Sequence, residues 1–256
     1  MKRKTIYTYL KNKVVLITGG ASGIGEEIVD KFLNQNSKVV FIDNNESKGN
    51  RLVIRLNKKY KTKLHFYKCN LKDTKKLQKT IVKIKKEVGP ISILVNNAAN
   101  DERHDIDTVT PEYWDDRMNI NLKHYFFASQ SVYKQMKKIG HGSIINIGSF
   151  SWMLSQGGMP GYTTAKSAIV GLTKTLARDL GVYNIRVNSI IPGWIITQRQ
   201  KKLWLTKKIE RNQLAKQCLK RMLLPDDIAK VVLFFASEES SGCTSQNYIV
   251  DGGTVT

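Results

Sequence analysis

Tyr162 and Lys166 stand four residues apart in Tyr162-Thr163-Thr164-Ala165-Lys166. That spacing puts a phenol and an ammonium on one face of a helix. A free tyrosine titrates near pH 10, at roughly three units above neutrality, and is a poor base there. A neighbouring cation favours the phenolate and brings it toward the working range. Upstream, Ser149 offers a hydroxyl that could hold a substrate oxygen beside the phenol. The chemistry these types could do is proton transfer at a phenol tuned by a cation; the pair alone would equally suit a packed tyrosine and a solvated lysine.

These residues need a scaffold, and the chain supplies its signals in order. Ala165, Ala168, Ile169, Leu172, Leu176 and Leu180 recur at helical spacing after the Tyr-Lys pair. Val14-Val15-Leu16-Ile17 reads as a buried strand and runs into Thr18-Gly19-Gly20-Ala21-Ser22-Gly23-Ile24-Gly25, with a helix marked by Ile28, Val29, Phe32 and Leu33 behind it. Glycines there allow a tight turn and close approach of a pyrophosphate, which the helix N-terminus then attracts. A second strand, Lys38-Val39-Val40-Phe41-Ile42, ends at Asp43. A carboxylate at that place accepts both hydroxyls of an adenosine ribose and repels a 2′-phosphate, and Asn44-Asn45 bring no compensating cation, so the reading is NAD.

Further strands are expected at 64–69, 93–95, 143–147, 186–190 and 248–250. Helices are expected around Leu52, Ile54 and Leu56, at 75–88, from Thr110-Pro111-Glu112 through Asn121 to Phe126, at 198–222, and from Pro225. Thr110 is an N-cap and Pro111 sits at the first helical position. Alternating strands and helices predict an α/β fold: a Rossmann-type, doubly wound sheet of about seven parallel strands with helices on both faces. Residues 1–256 are expected to form one domain. Gly25, Asp43, Asn70, Asn97, Ser149 and Pro192-Gly193 then gather at the C-terminal edge of the sheet.

Composition narrows the function. The chain has 256 residues, 41% of them hydrophobic, which is enough for a sizeable core. It has no apolar run long enough for a membrane span, and the basic start through Tyr7 is not followed by a signal-peptide h-region. Cys69, Cys218 and Cys243 are far apart, form no metal or redox spacing, and point to a reducing, cytoplasmic setting. The net charge of +21 is spread over lysine pairs along the chain without interleaved aromatics. It reads as a solvated surface rather than a nucleic-acid site. His104 has no second ligand at useful spacing, so no metal is expected.

Taken together, the glycine-rich run from Thr18 to Gly25, Asn96-Asn97-Ala98-Ala99, Asn121, Ser149, Tyr162, Lys166 and Pro192-Gly193 with Thr197 resembles the short-chain dehydrogenase/reductase family over nearly the whole chain. The resemblance implies a catalytic tetrad of Asn121, Ser149, Tyr162 and Lys166. It implies a cofactor site of Gly19, Ser22, Gly23, Ile24, Gly25, Asp43, Asn70, Leu71, Asn97, Tyr162, Lys166, Pro192, Gly193, Ile195 and Thr197, and a homotetramer. Within it, Asn121 would hold a water that relays protons through Lys166, and the Ile195 backbone and Thr197 would hold the carboxamide. Ala99 and Gly148 depart from the family's usual glycine and serine, and Asn70 replaces an aspartate that meets adenine; none of these touches the tetrad.

A finer resemblance, to bacterial aldose 1-dehydrogenases of the D-xylose type, runs through the segments 97–104, Tyr113-Trp114-Asp115, Ser151-Trp152, 197–201 and 217–220. It implies NAD-dependent oxidation of an aldose at C1 to a lactone. Trp152 and Trp194 could cover the apolar face of a pyranose. Asn100, Asp101, Gln156 and Gln198, with Ser149 and Tyr162, could pair its hydroxyls. Each tryptophan would equally suit lid or core packing. The competing expectations are the same fold acting on a sugar acid, polyol or 3-hydroxyacyl alcohol, and a non-catalytic NAD-sensing or nucleic-acid-binding module.

Overall fold

The computed structural model describes residues 5–255. The first basic residues, Lys2, Arg3 and Lys4, lie outside the described residues. Seven strands form one parallel sheet: β1 Val14–Thr18, β2 Lys38–Asp43, β3 His65–Lys68, β4 Ile93–Asn96, β5 Gly142–Ile147, β6 Ile185–Pro192 and β7 Asn247–Val250. Their order is β3-β2-β1-β4-β5-β6-β7. The register sets Leu16 between Val40 and Leu94. The strand order reverses between β1 and β4, which opens a crevice beyond their C-terminal ends.

Residue alternation along the strands assigns the two faces. Val15, Ile17, Val39 and Phe41 point to one side and pack with Ile28, Val29, Phe32 and Leu33 of α1 (Gly23–Asn34). Leu52 and Leu56 of α2 (Glu46–Lys59) and Ile228, Val232 and Leu233 of α9 (Pro225–Ala236) join the same core. Leu16, Val40, Ile42 and Leu94 point the other way. They meet Leu77, Ile81 and Ile84 of α3 (Thr74–Glu87), Val132 and Met136 of α5 (His124–Ile139), and Leu176 and Leu180 of α6 (Pro160–Gly181). Both faces are covered, which is why the strands read as continuous apolar runs.

The structure departs from sequence expectation in four places. Ile54 is exposed, because two residues along a helix is about 200° of rotation from Leu52 and Leu56. The segment 198–222 is not one helix. It divides into α7 (Gln198–Leu203) and α8 (Lys207–Lys216), with Thr206 capping α8 through Ile209 N–H. After α8, the main-chain N–H groups of Cys218 and Leu219 donate to the carbonyls of Gly253 and Gly252, so pairing with the C-terminal segment replaces a helical turn. The helix begun at α4 (Pro111–Met118), capped by Thr110 as expected, passes through a π-turn, Asn119–Lys123, before α5. Trp114 and Phe126 on this stretch are exposed, while Arg117, Asn121, His124 and Tyr125 are buried. The inward face is therefore polar, serving the site rather than the core.

Candidate active site

Two cavities of about 570 and 590 Å³ meet at the C-terminal edge of the sheet, sharing Ile24, Asn97, Ala99, Asp101 and Thr197. The first holds Ser149, Tyr162 and Lys166; the second runs along the glycine turn to Asp43.

The second is a groove built mostly of backbone. Gly19 and Gly23 have φ of 68° and 62°, a left-handed conformation that favours glycine. A Cβ on Gly25 would collide with the Gly19 carbonyl oxygen. Asn97 locks the turn to β4: its amide donates to the Thr18 and Gly19 carbonyls at 3.0 Å, and its own N–H donates to Thr18 Oγ1 at 3.0 Å. Ser22, at the N-cap of α1, accepts no side-chain cap bond, which leaves the first-turn N–H groups of α1 available to an anion. At the far end the Asp43 carboxylate accepts from Ala21 N–H at 3.0 Å and Asn45 N–H at 2.9 Å. Asn70 and Leu71 line the groove beside it, as does Lys48. A glycine cradle, free helix N–H groups and an anchored carboxylate fit a dinucleotide.

The other cavity is built of side chains. Lys166 is 1% exposed, and its ammonium donates to the Ile147 carbonyl at 2.8 Å and the Tyr125 hydroxyl at 2.9 Å. Tyr125, itself fully buried, donates to the same carbonyl at 2.9 Å. Burial lowers Lys166 to about 7. Its ammonium lies 5.7 Å from the Tyr162 ring centre. Burial dominates at Tyr162 and pushes the phenol up to about 12, with the Ser149 hydroxyl pulling the other way. The sequence expectation that Lys166 brings the phenol down toward neutrality is therefore not met: burial sets the direction. Ser149 Oγ lies 3.0 Å from Ser151 Oγ and accepts from Ser151 N–H at 3.2 Å. Asn121 is buried in the π-turn, where its side-chain oxygen accepts from Asn100 N–H at 2.8 Å and its amide nitrogen has no protein partner among the described residues.

Pro192, Gly193, Trp194, Ile195 and Thr197 line the substrate side, and Thr197 also caps α7 through Gln200 N–H at 3.2 Å. The residues expected to meet a sugar divide. Asp101, Gln156 and Trp194 line the cavity; Asn100 lies on the nucleotide groove; Trp152 and Gln198 line neither. Asp101 is held by α7, accepting from Arg199 and from Gln200 Nε2 at 3.1 Å each, while Trp194 Nε1 donates to Gln200 Oε1 at 2.8 Å. The Gln156 amide stands 3.3 Å from the Arg103 guanidinium nitrogens.

Sequence reasoning missed Trp204, whose ring lies 5.6 Å from the Arg103 guanidinium, and Ile209, Asn212, Gln213 and Lys216. Those four have i, i+3, i+4, i+7 spacing on α8, the one signal that could have marked a common face. Among the described residues no cluster of His, Cys, Asp and Glu could hold a metal, and no helix is long and apolar enough to cross a membrane.

A phenol, an ammonium and a hydroxyl beside a dinucleotide groove constitute the equipment of an alcohol dehydrogenase, and the comparisons agree. The family model described as enoyl-(acyl carrier protein) reductase matches residues 19–255. The chain belongs to the short-chain dehydrogenase/reductase family, whose members are oxidoreductases using nicotinamide cofactors. The protein named "Probable galactose dehydrogenase GalD" of Rhizobium meliloti (strain 1021) is 41% identical over 244 residues, 95% of each chain. D-xylose 1-dehydrogenase of Caulobacter vibrioides (strain NA1000 / CB15N) is 41% identical over 248 residues, 97% of this chain and 98% of its own. A solved short-chain type dehydrogenase/reductase from Mycobacterium ulcerans matches the fold with a TM-score of 0.90 at 23% identity, over 96% of this chain and 90% of that one.

Proposed function

We propose that this protein is an NAD-dependent dehydrogenase that oxidises the C1 hydroxyl of an aldopyranose, pentose or hexose, to a lactone. The observation that carries the reading is Tyr162, Ser149 and Lys166 gathered in a cavity lined by Trp194, Trp204 and several amides, against the dinucleotide groove. Identity of 41% to two relatives named for galactose and D-xylose supports the substrate class.

In this reading Ser149 holds the C1 oxygen and Tyr162 takes its proton. Lys166 stabilises the phenolate, and Asn121 in the π-turn orders the relay that returns the proton to solvent. The cofactor, when bound, supplies a nicotinamide ring that accepts the C1 hydride. Gly19, Ser22, Gly23, Ile24 and Gly25 would hold the pyrophosphate, Asp43 the ribose, Asn70 and Leu71 the adenine, and Asn97, Pro192, Gly193, Ile195 and Thr197 the nicotinamide end. Asp43 favours NAD over NADP by repelling a 2′-phosphate, and Lys48 on the same groove keeps that preference finite. Asn100, Trp152 and Gln198, which do not line the substrate cavity, are left out of the sugar contacts in this reading. The proposal takes residues 1–256 as one domain, assembled as a cytoplasmic homotetramer.

A second reading has one observation behind it. Phe150, Leu154, Met159 and Ile209 also line the cavity and would suit a longer apolar alcohol. A panel of aldoses, polyols, secondary alcohols and 3-hydroxyacyl compounds, followed by cofactor reduction, separates the two. Pentoses or hexoses are expected to be oxidised far better, with the lactone trapped by hydroxylamine. Turnover of apolar alcohols alone would overturn the sugar assignment.

A further inference from the structure

The polar run that follows β4 divides its labour. Asp101 and Arg103 line the substrate cavity, but Glu102 and His104 line neither cavity. His104 turns toward the helix that carries Tyr162, and Glu102 toward Arg117 on α4. Helix α6 starts at Pro160, and its N-cap residue, Met159, makes no side-chain cap bond. Pro160 has no N–H, so the first donor of the helix is Gly161, the residue before Tyr162. Gly161 N–H donates to His104 Nε2 at 3.3 Å.

The imidazole is held for that task. An Nε2 that accepts carries no proton, so Nδ1 is the protonated nitrogen. It donates to the Glu102 carbonyl at 3.1 Å, with the Tyr113 hydroxyl also at 3.1 Å. The Tyr113 ring stands edge-on to the imidazole, 5.0 Å between centres. The His104 N–H donates to the Gly158 carbonyl at 2.9 Å, tying the two loops together.

Beneath Gly161 lies the buried stem of Arg117. A Cβ on Gly161 would stand 3.0 Å from Arg117 Cβ. Arg117 is itself fixed by Glu102 at 3.0 Å and by Asp116, which in turn holds Lys72 at 2.6 Å. The charged and titratable groups nearest His104 are Asp101, Glu102, Arg103 and Asp105 on its own loop and, on α4, Tyr113 at its Nδ1 and Arg117 across Gly161.

We propose that His104 is a positioning residue for Tyr162: its imidazole caps α6 at Gly161 and fixes the place of the phenol over the substrate cavity. The proposal rests on the reading of Tyr162 as the general base. His104 lines neither cavity, so its influence runs through the helix. Tyr162 lies in the first turn of α6, the turn that frays when a cap is lost. A displacement of about 1 Å at a reacting group can lower turnover by roughly 10²-fold, so partial fraying is a kinetic matter before it is one of stability.

The test compares His104→Ala with His104→Gln, whose amide oxygen can accept from Gly161. In the alanine variant kcat on the best aldose should fall about tenfold or more, while cofactor Kd and substrate KM stay near wild type. Amide hydrogen exchange in a peptide covering 158–166 should speed up. The glutamine variant should recover most of the turnover and most of the protection. A merely structural role would lower Tm without separating kcat from KM and would not be rescued by glutamine; that pattern overturns the proposal. So does an alanine variant with unchanged kcat and unchanged exchange. If no aldose is turned over by the wild type, the substrate reading fails, and the exchange comparison still decides whether His104 caps the helix.

Discussion

The two cavities that meet at Asp101 and Thr197 are made of different material. The nucleotide groove is backbone and strand ends: the Gly19 and Gly23 turn, the first N–H groups of α1, and Asp43 at the end of β2. Gly19 follows β1 directly, Asp43 ends β2, and Asn97 after β4 holds the start of the turn between β1 and α1. The substrate cavity is side chains from separate segments: the loop after β4, the turn after β5, the start of α6, the turn after β6, and α7 with α8. Its walls are held by side-chain bonds such as Trp194 to Gln200 and Gln200 to Asp101. Change at Trp204 or on α8, which line the substrate cavity alone, should alter specificity without touching nucleotide binding, whereas Thr197 and Arg199 at α7 line the groove.

The largest expected effect separates chemistry from binding. Tyr162→Phe keeps the ring and removes the proton acceptor. General base catalysis is typically worth about 10²–10⁴-fold, so kcat should fall by that range while NAD affinity, read by fluorescence titration, stays within about twofold of wild type, since the groove is built elsewhere. Near-normal turnover would remove Tyr162 from the mechanism.

The next effect is pH dependence. Tyr162 is pushed up to about 12, chiefly by burial, and the base form must be unprotonated to act. At neutrality the free enzyme is almost wholly in the acid form, and the active fraction grows about tenfold per pH unit. kcat/KM for oxidation, which reports the free enzyme, should therefore rise from pH 7 to 9. Lys166, lowered by burial to about 7, loses its charge over the same interval and makes the rise shallower. A flat profile across this range would contradict the burial argument at Tyr162.

The comparison also explains what the sequence let one read. Gly19, Gly23 and Asp43 were legible because a strand, a turn and a helix leave local marks, and a carboxylate at a strand end needs no knowledge of distant partners. Thr110 and Pro111 were legible for the same reason, since a cap is local. Trp204 and the α8 face were not, because their role depends on where Thr206 restarts a helix and on Gly252 and Gly253 pairing with Cys218 and Leu219. Resemblance and residue type point Trp152 and Gln198 to a sugar, but neither carries a direction in space, and both side chains lie outside the cavity lining. The π-turn at Asn121 likewise left no local mark, since the periodicity there is that of an ordinary helix.

Cofactor choice tests the groove alone. Asp43→Ser with Asn44→Arg removes the repulsion and adds a partner for a 2′-phosphate. A charge-assisted hydrogen bond is worth about 1.5–3 kcal/mol, so the NAD to NADP ratio of kcat/KM should shift about 10- to 100-fold toward NADP. Sugar preference should not change. A wild type that already favours NADP would mean that Lys48 outweighs Asp43.

Substitutions on the substrate side should do the reverse. Trp204 lines the substrate cavity with part of its ring exposed and lies against Arg103. Trp204→Ala removes apolar surface that a pyranose face would cover. Full burial of a large apolar side chain is worth about 1.5–3 kcal/mol, so KM for the sugar should rise about tenfold with kcat and NAD affinity nearly unchanged. An equal fall in kcat would show that Trp204 acts in the transition state rather than in binding.

The smallest expected effect belongs to the other tryptophan. Trp152 sits in the turn after Ser149, half-buried, and lines neither cavity. Its buried indole N–H has no protein partner among the described residues, so Trp152→Phe strands no acceptor. Near-conservative apolar swaps usually change stability by less than about 1.5 kcal/mol, and the turn is held by main-chain bonds from Met153 and Leu154 to Phe150 that the substitution leaves in place. Sugar kcat and KM should both stay within about twofold of wild type, against the tenfold KM change at Trp204. A KM rise at Trp152→Phe equal to that at Trp204 would mean that the turn after Ser149 swings inward when sugar binds. The substrate side would then be a closing wall, while the groove at Gly19 and Asp43 stays fixed.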